Sequence, residues 1–126
     1  MNLALGRAFA TRDVARLHAQ RDALRKATAR ALTQTPILAS PTTAVPPPAL
    51  SRGLLAGGQD LLLLRAIGAY TPLANLTGLP AIAVPCGVDD RGRPLSIMFM
   101  TTTGGETTLL RLALAVERAG LATAAV

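Results

Sequence analysis

Few side chains in this sequence have the types or neighbours that chemistry requires. Cys86 follows an apolar run at a turn, a position a nucleophile can take, yet no histidine accompanies it, so it is expected to be a small, buried apolar residue. The one histidine, His18, has no cysteine or second histidine near it and reads as a surface or packing residue rather than a metal ligand. Gly53, Gly57 and Gly58 have no Lys-Ser or Lys-Thr behind them, which excludes a phosphate-binding loop. Nothing calls for a metal or a cofactor. Asn75-Leu76-Thr77 fits a glycosylation triplet, but without a secretory route the match is chance.

The most specific stretch runs from Asn75 to Gly87, and it reads as a turn feeding a strand. Asn75, Thr77, Gly78 and Pro80 are turn chemistry, with Asn able to bond its own backbone and Gly78 free to take a positive φ or to admit a close approach. Ala81 to Val84 is an apolar run between Pro80 and Pro85 without polar alternation, which predicts a strand covered on both faces.

The elements that must position this stretch follow from the rest of the chain. Arg12, Arg16, Lys26 and Arg30 gather on one side of a helix while Ala10, Val14, Leu17, Leu24 and Ala31 gather broadly opposite. That helix should end near Leu32, where Thr33, Gln34, Thr35 and Pro36 are poor continuers. Ile37 to Ala39 reads as a short strand, and Ser40 to Pro48, with four prolines, as a rigid surface loop or linker. Asp60 is placed to cap a short helix over Leu61 to Ala69, almost wholly apolar and therefore expected to be buried, with Thr71 and Pro72 closing it. Asp89 to Arg93 is a polar reversal, and Leu95 to Met100 is a second strand. Thr103 with Glu106 matches a capping box for a last helix that stops at Gly120.

Composition sets the outer limits. At 126 residues the chain forms one domain at most, and the whole of 1–126 is expected to be a single partial domain with a proline- and glycine-rich loop over 41–59. Half the residues are apolar but only Phe9, Phe99 and Tyr70 are aromatic, so the core must come from Leu, Ala, Val and Ile. The single cysteine cannot form an internal disulfide, and no apolar run is long enough to cross a bilayer, which together point to a soluble, cytoplasmic protein. The net charge of +6 raises nucleic acid as a partner. With no aromatic between the arginines there is no stacking platform, and the basic residues read as a solvated helix face rather than a specific nucleic-acid site.

The run from Thr71 to Gly87 resembles the signature near the C-terminal end of amidase signature enzymes, in which an Asn-Leu-Thr-Gly-Leu-Pro turn leads into a strand ending Val-Pro-Cys-Gly. Three other segments follow in the family's order. Pro41-Thr42-Thr43 resembles its Pro-Thr strand end, Arg93-Pro94-Leu95 its hydrophobic return strand, and Glu106 with Leu109, Leu110 and Ala113 its last helix.

The resemblance implies the C-terminal part of an α/β fold, with helices packed on a few strands of a mixed sheet, and an enzyme that hydrolyses carboxamide C–N bonds. It implies a serine nucleophile activated by a second serine in a cis peptide and by a buried lysine, with a Gly/Ser-rich loop for the oxyanion. None of that set is found: the lysine is Lys26, on the basic helix, and the serines Ser40, Ser51 and Ser96 are each isolated from any glycine-serine tract. No residue is therefore assigned a catalytic role, and the chain alone is expected to be inactive, needing the missing N-terminal part of the amidase as a partner. By the same resemblance Thr71, Pro72 and Asn75 are the residues placed nearest the substrate.

Two departures bear on that substrate. Thr35, Pro36 and Ile37 stand where family members often have an acidic residue, and Arg65 to Ala74 lacks the acidic residue that glutamine-using members carry. A general small or hydrophobic amide is expected rather than glutamine. The alternative is a non-catalytic interaction module or remnant using apolar surfaces, and exposed core surface of that kind promotes association, a homo-oligomer included.

Overall fold

The computed structural model describes residues 11–49 and 60–120. Among them the elements are α1 (Thr11–Gln34), β1 (Leu38–Pro41), α2 (Leu61–Ile67), α3 (Pro72–Thr77), β2 (Ala81–Val88), β3 (Pro94–Met100) and α4 (Glu106–Arg118). The glycine set at 53, 57 and 58, Ser51 and most of the expected proline–glycine loop lie outside the described residues.

The three strands form one antiparallel sheet in the order β1-β3-β2, so β3 is paired on both sides. Rows of partners cross the whole sheet: Leu38, Met100 and Ala81; Ala39, Phe99 and Ile82; Ser40, Met98 and Ala83; Pro41, Ile97 and Val84. Because side chains alternate along a strand, alternate rows share a face. Ile82, Val84, Ile97 and Phe99 thus face one way, where they meet Leu109, Leu112, Ala113 and Val116 of α4. The spacing of those four residues along α4 is that of an inward helical stripe, and Leu109 is its most enclosed member at 2% exposure. Truncating a leucine buried to that degree costs about 2–5 kcal/mol. On the opposite face Met98 and Met100 are buried. The end of β3 is tied down by Thr101, whose hydroxyl donates to the Pro36 carbonyl at 2.7 Å and whose amide donates to the Pro80 carbonyl at 3.3 Å.

Several expectations change in the folded chain. The strand after Pro80 continues through Pro85 to Val88 and is not covered on both faces: Ile82 and Val84 are shielded while Ala81, Ala83 and Pro85 are exposed. An outer strand tolerates Pro85 because the missing donor need not break the ladder. Asn75 and Thr77 lie inside α3 rather than in a turn, and the Thr77 hydroxyl satisfies itself locally by donating to the Leu73 carbonyl at 2.6 Å. The turn is delayed to Gly78, which ends α3 in the left-handed region with φ 75°. Among the described residues nothing lies within 4 Å of where a Gly78 β-carbon would sit, so the reason for glycine there is φ and not a close approach.

Asp60 caps α2 as its carboxylate accepts from the Leu62 and Leu63 amides, both at 3.0 Å. Burial of that helix is overturned: Leu61 and Leu62 are 74% and 80% exposed, and α2 ends at Ile67 with Gly68 rather than Thr71 behind it. Its seven residues make too few turns to bury four leucines against a sheet this small. The capping box at Thr103 is also absent, since Gly105 occupies the N-cap position of α4 without a side-chain bond. Cys86 is exposed rather than buried, because it sits where the β2–β3 register shifts between Pro85 and Val88. The first helix runs two residues past Leu32, to Gln34, and its apolar stripe is only half used. Thr28 and Leu32 are buried, whereas Val14 and Leu17 remain 41% and 48% exposed.

Candidate functional site

The residues expected nearest a substrate lie on α3. Thr71 stands at its N-cap and Pro72 at its first position, where a proline loses no helical donor. At about 100° per residue Thr71, Pro72 and Asn75 fall within one arc of roughly 100°, while Thr77, on the opposite side, is buried. Pro72 and Asn75 are exposed and Thr71 is half-buried. Among the described residues the side chains of Thr71 and Asn75 have no hydrogen-bond partner. The helix is held from α1, where the Arg21 Nε donates to the Leu76 carbonyl at 2.8 Å. An apolar groove of about 390 Å³ opens between those two helices, edged by Val14, Leu17, Leu24 and Leu76.

A cleft of about 480 Å³ lies on the far side of the sheet from α4. Its floor is Ala83 and Pro85 of β2 with Leu95 and Ser96 of β3, its wall is the segment Thr43 to Pro48, and Ile67 closes it from α2. The wall is a strap fastened at three points. The Thr42 amide donates to the Ser96 carbonyl and the Ala44 amide to the Ala66 carbonyl, both at 3.1 Å, and the Arg93 guanidinium donates to the Pro47 carbonyl at 3.3 Å. The Thr43 hydroxyl folds back onto the Val45 carbonyl at 2.8 Å. From its prolines this segment is expected to be a plain loop, and no local spacing announces that it will be pinned to β3, to α2 and to the turn at Arg93.

The third fastening is held in place by Asp89. Its Oδ1 accepts from the Arg91 and Arg93 amides at 3.0 and 2.9 Å, and its Oδ2 accepts from the Arg93 Nε at 2.8 Å. Those bonds, the one from the Arg93 side chain above all, hold the Asp89 carboxyl below its ordinary value of 3.8. Among the described residues no charged side chain lines the cleft. It offers shape and the hydroxyls of Thr43 and Ser96, but neither an acid nor a base.

The remaining candidates are not brought together. Lys26 is exposed on α1, Ser40 and Ser96 belong to neighbouring strands, and His18 is exposed on α1. The Ser40 Oγ and Thr42 Oγ1 are buried without a hydrogen-bond partner among the described residues. No group of three His, Cys, Asp or Glu side chains placed to hold a metal occurs among the described residues, and none of their helices is long and apolar enough to cross a membrane.

Residues 1–110 match the family described as Amidase. A fatty acid amide hydrolase of Oryza sativa subsp. indica is 35% identical over 82 residues, 64% of this chain and 14% of that protein. A glutamyl-tRNA(Gln) amidotransferase subunit of Myxococcus xanthus is 36% identical over 98 residues, 78% of this chain and 19% of that one. The crystal structure of the corresponding amidotransferase subunit of Thermotoga maritima superposes with a TM-score of 0.65 and 28% identity, over 78% of this chain and 20% of its own. An allophanate hydrolase from Kluyveromyces lactis shares the fold with a TM-score of 0.71 at 24% identity, over 93% of this chain and 18% of its own. The chain thus spans between 14% and 20% of the length of these relatives.

Proposed function

This chain belongs to the amidase family, and from that premise we propose that it is the C-terminal portion of an enzyme hydrolysing carboxamide C–N bonds. The observation that carries the proposal is the family match over residues 1–110, which includes the Asn75–Gly87 motif running from α3 into β2. In this reading the serine nucleophile, its serine partner and the basic lysine come from the rest of an amidase domain, and the present chain forms a wall of the site. Thr71, Pro72 and Asn75, sharing the open side of α3, are the residues that approach the substrate, with the free Asn75 amide able to donate to a carbonyl or accept from an amide. The substrate is a small or hydrophobic amide rather than glutamine, since Arg65 to Ala74 offers no carboxylate to hold an ammonium group.

A second reading, a non-catalytic interaction module, is favoured by one observation: the exposed Leu61 and Leu62 of α2 form an apolar surface that a partner would cover.

A chimera separates the two. Residues 14–120 of this chain replace the corresponding segment of an amide hydrolase of the family, and turnover of a simple aliphatic amide and of glutamine is measured. The amidase reading expects hydrolysis of the aliphatic amide by the chimera, loss on Asn75→Ala, and no turnover by the chain alone. A folded chimera that turns over neither amide removes the reading, as does hydrolysis by the chain alone that survives replacement of Ser40, Ser51 and Ser96 together.

A further inference from the structure

We propose that the cleft behind the Thr43–Pro48 strap is a binding site for the apolar part of a neutral amide, a position separate from the exposed face of α3. The inference rests on the amidase reading for the amide and on the cleft itself for the rest. Three observations lead to it.

The first is volume: about 480 Å³ lies within the range that small-molecule sites occupy. The second is chemistry. Pro46, Pro47, Pro48, Pro85 and Pro94 line it together with the aliphatic Val45, Ile67 and Leu95, and among the described residues no charged side chain faces in. A zwitterionic amino acid such as glutamine brings an ammonium and a carboxylate, and burying either without a partner is strongly unfavourable. An aliphatic chain meets no such cost, and Thr43 and Ser96 give hydroxyls for one neutral polar group. The Arg93 guanidinium, which reaches the strap, is already engaged by Asp89 and by the Pro47 carbonyl.

The third is rigidity. Prolines fix their own φ, and the strap is fastened to β3, to α2 and to the β2–β3 turn. A wall fixed before the ligand arrives loses little conformational entropy on binding. A second, separate recess shares Thr43, Leu95 and Ser96 with the cleft and is also lined by Ser40 and Cys86.

The probe is decanamide, titrated into the chain while methyl NMR resonances are followed, with glutamine as the comparison. The Val45, Ile67 and Leu95 methyls are expected to shift and saturate with decanamide and to stay still with glutamine. Ala83→Phe places a ring on the cleft floor at an exposed position and is expected to weaken binding about tenfold with an unchanged melting midpoint. Decanamide carrying a nitroxide, added to the unsubstituted chain, should broaden the same methyls, so the location does not depend on how the variant folds. Shifts confined to Leu17, Leu24 and Leu76, equal shifts with glutamine, or no shift at the solubility limit would each overturn the proposal. The enzyme reading fails separately. An inactive chimera with decanamide still seated behind the strap leaves this inference standing, and an active chimera whose strap methyls ignore decanamide overturns it.

Discussion

Arg93 and Asp89 close the β2–β3 turn on each other. The Arg93 Nε donates to Asp89 Oδ2 at 2.8 Å and a terminal guanidinium nitrogen lies 2.6 Å from the same oxygen, while the other terminal nitrogen reaches the Pro47 carbonyl. One ion pair therefore sets the hairpin and steadies the proline strap.

Its pH dependence has a definite sign. The bonds from Arg93 lower the Asp89 carboxyl in the folded chain, so the stability it contributes is present above the unfolded value near 3.8 and is lost as pH falls through the lower folded value. Asp89→Asn keeps an oxygen for the two backbone amides and removes the charge. Melting midpoints of the two proteins should differ by a constant amount well above pH 3.8 and converge as pH falls below it. Parallel curves across that range would show that the pair contributes nothing.

Two glycines should fail for different reasons. Gly78→Ala forces a β-carbon into the left-handed region at φ 75° with open space around it, which costs about 1–2 kcal/mol. At Gly105 the β-carbon would lie 2.5 Å from Thr101 Cγ2 and 2.9 Å from the Thr102 carbonyl oxygen. The clash adds overpacking of about 1–3 kcal/mol. Thr101→Ser, which removes Cγ2 and keeps the hydroxyl on Pro36, should recover part of the Gly105→Ala loss and none of the Gly78→Ala loss. Thermal melts of the two double variants test this, and equal recovery in both rejects the distinction.

Asp60→Ala removes the cap of α2, a change typically worth about 1 kcal/mol. Since α2 buries none of its residues, the loss should be local: faster hydrogen exchange at the Leu62 and Leu63 amides, with little change at Phe99 or Leu109. Uniform acceleration across the sheet would mean that α2 and the core unfold together.

Arg16, Lys26 and Arg30 are exposed on α1. If they form only a solvated face, DNA binding is weak, indifferent to sequence and abolished at raised salt. A sequence preference that survives physiological salt and disappears in the triple glutamine variant would establish a specific site.

The sequence made legible those parts of the fold whose cause is local. Asp60 as a cap, the Asp89–Arg93 reversal, the apolar Leu95–Met100 strand and the stop at Gly120 each follow from a side chain and its near neighbours. Where the cause is distant, the reading failed. Asn75 and Thr77 are turn formers in isolation, but Pro72 starts a helix and the Arg21 guanidinium holds its far end. Four leucines in a row suggest burial, yet the described residues offer them no covering surface. Thr103 lost its capping role because the chain folds tightly from Thr101 to Gly105, which takes the cap itself. For the site, the motif pointed to α3, while the strap-walled cleft depends on contacts between residues far apart in the chain, such as Arg93 to Pro47 and Thr42 to Ser96, that no spacing announces.

Both outer strands carry a proline, Pro41 at the end of β1 and Pro85 within β2, and β2 also shifts register between Pro85 and Val88. A proline has no donor to offer a further strand, and a bulge twists an edge out of the plane in which a new strand would dock. Copies of this chain are therefore poorly suited to zipping together edge to edge, although half their residues are apolar. The same irregularity that exposes Cys86 works against fibril growth.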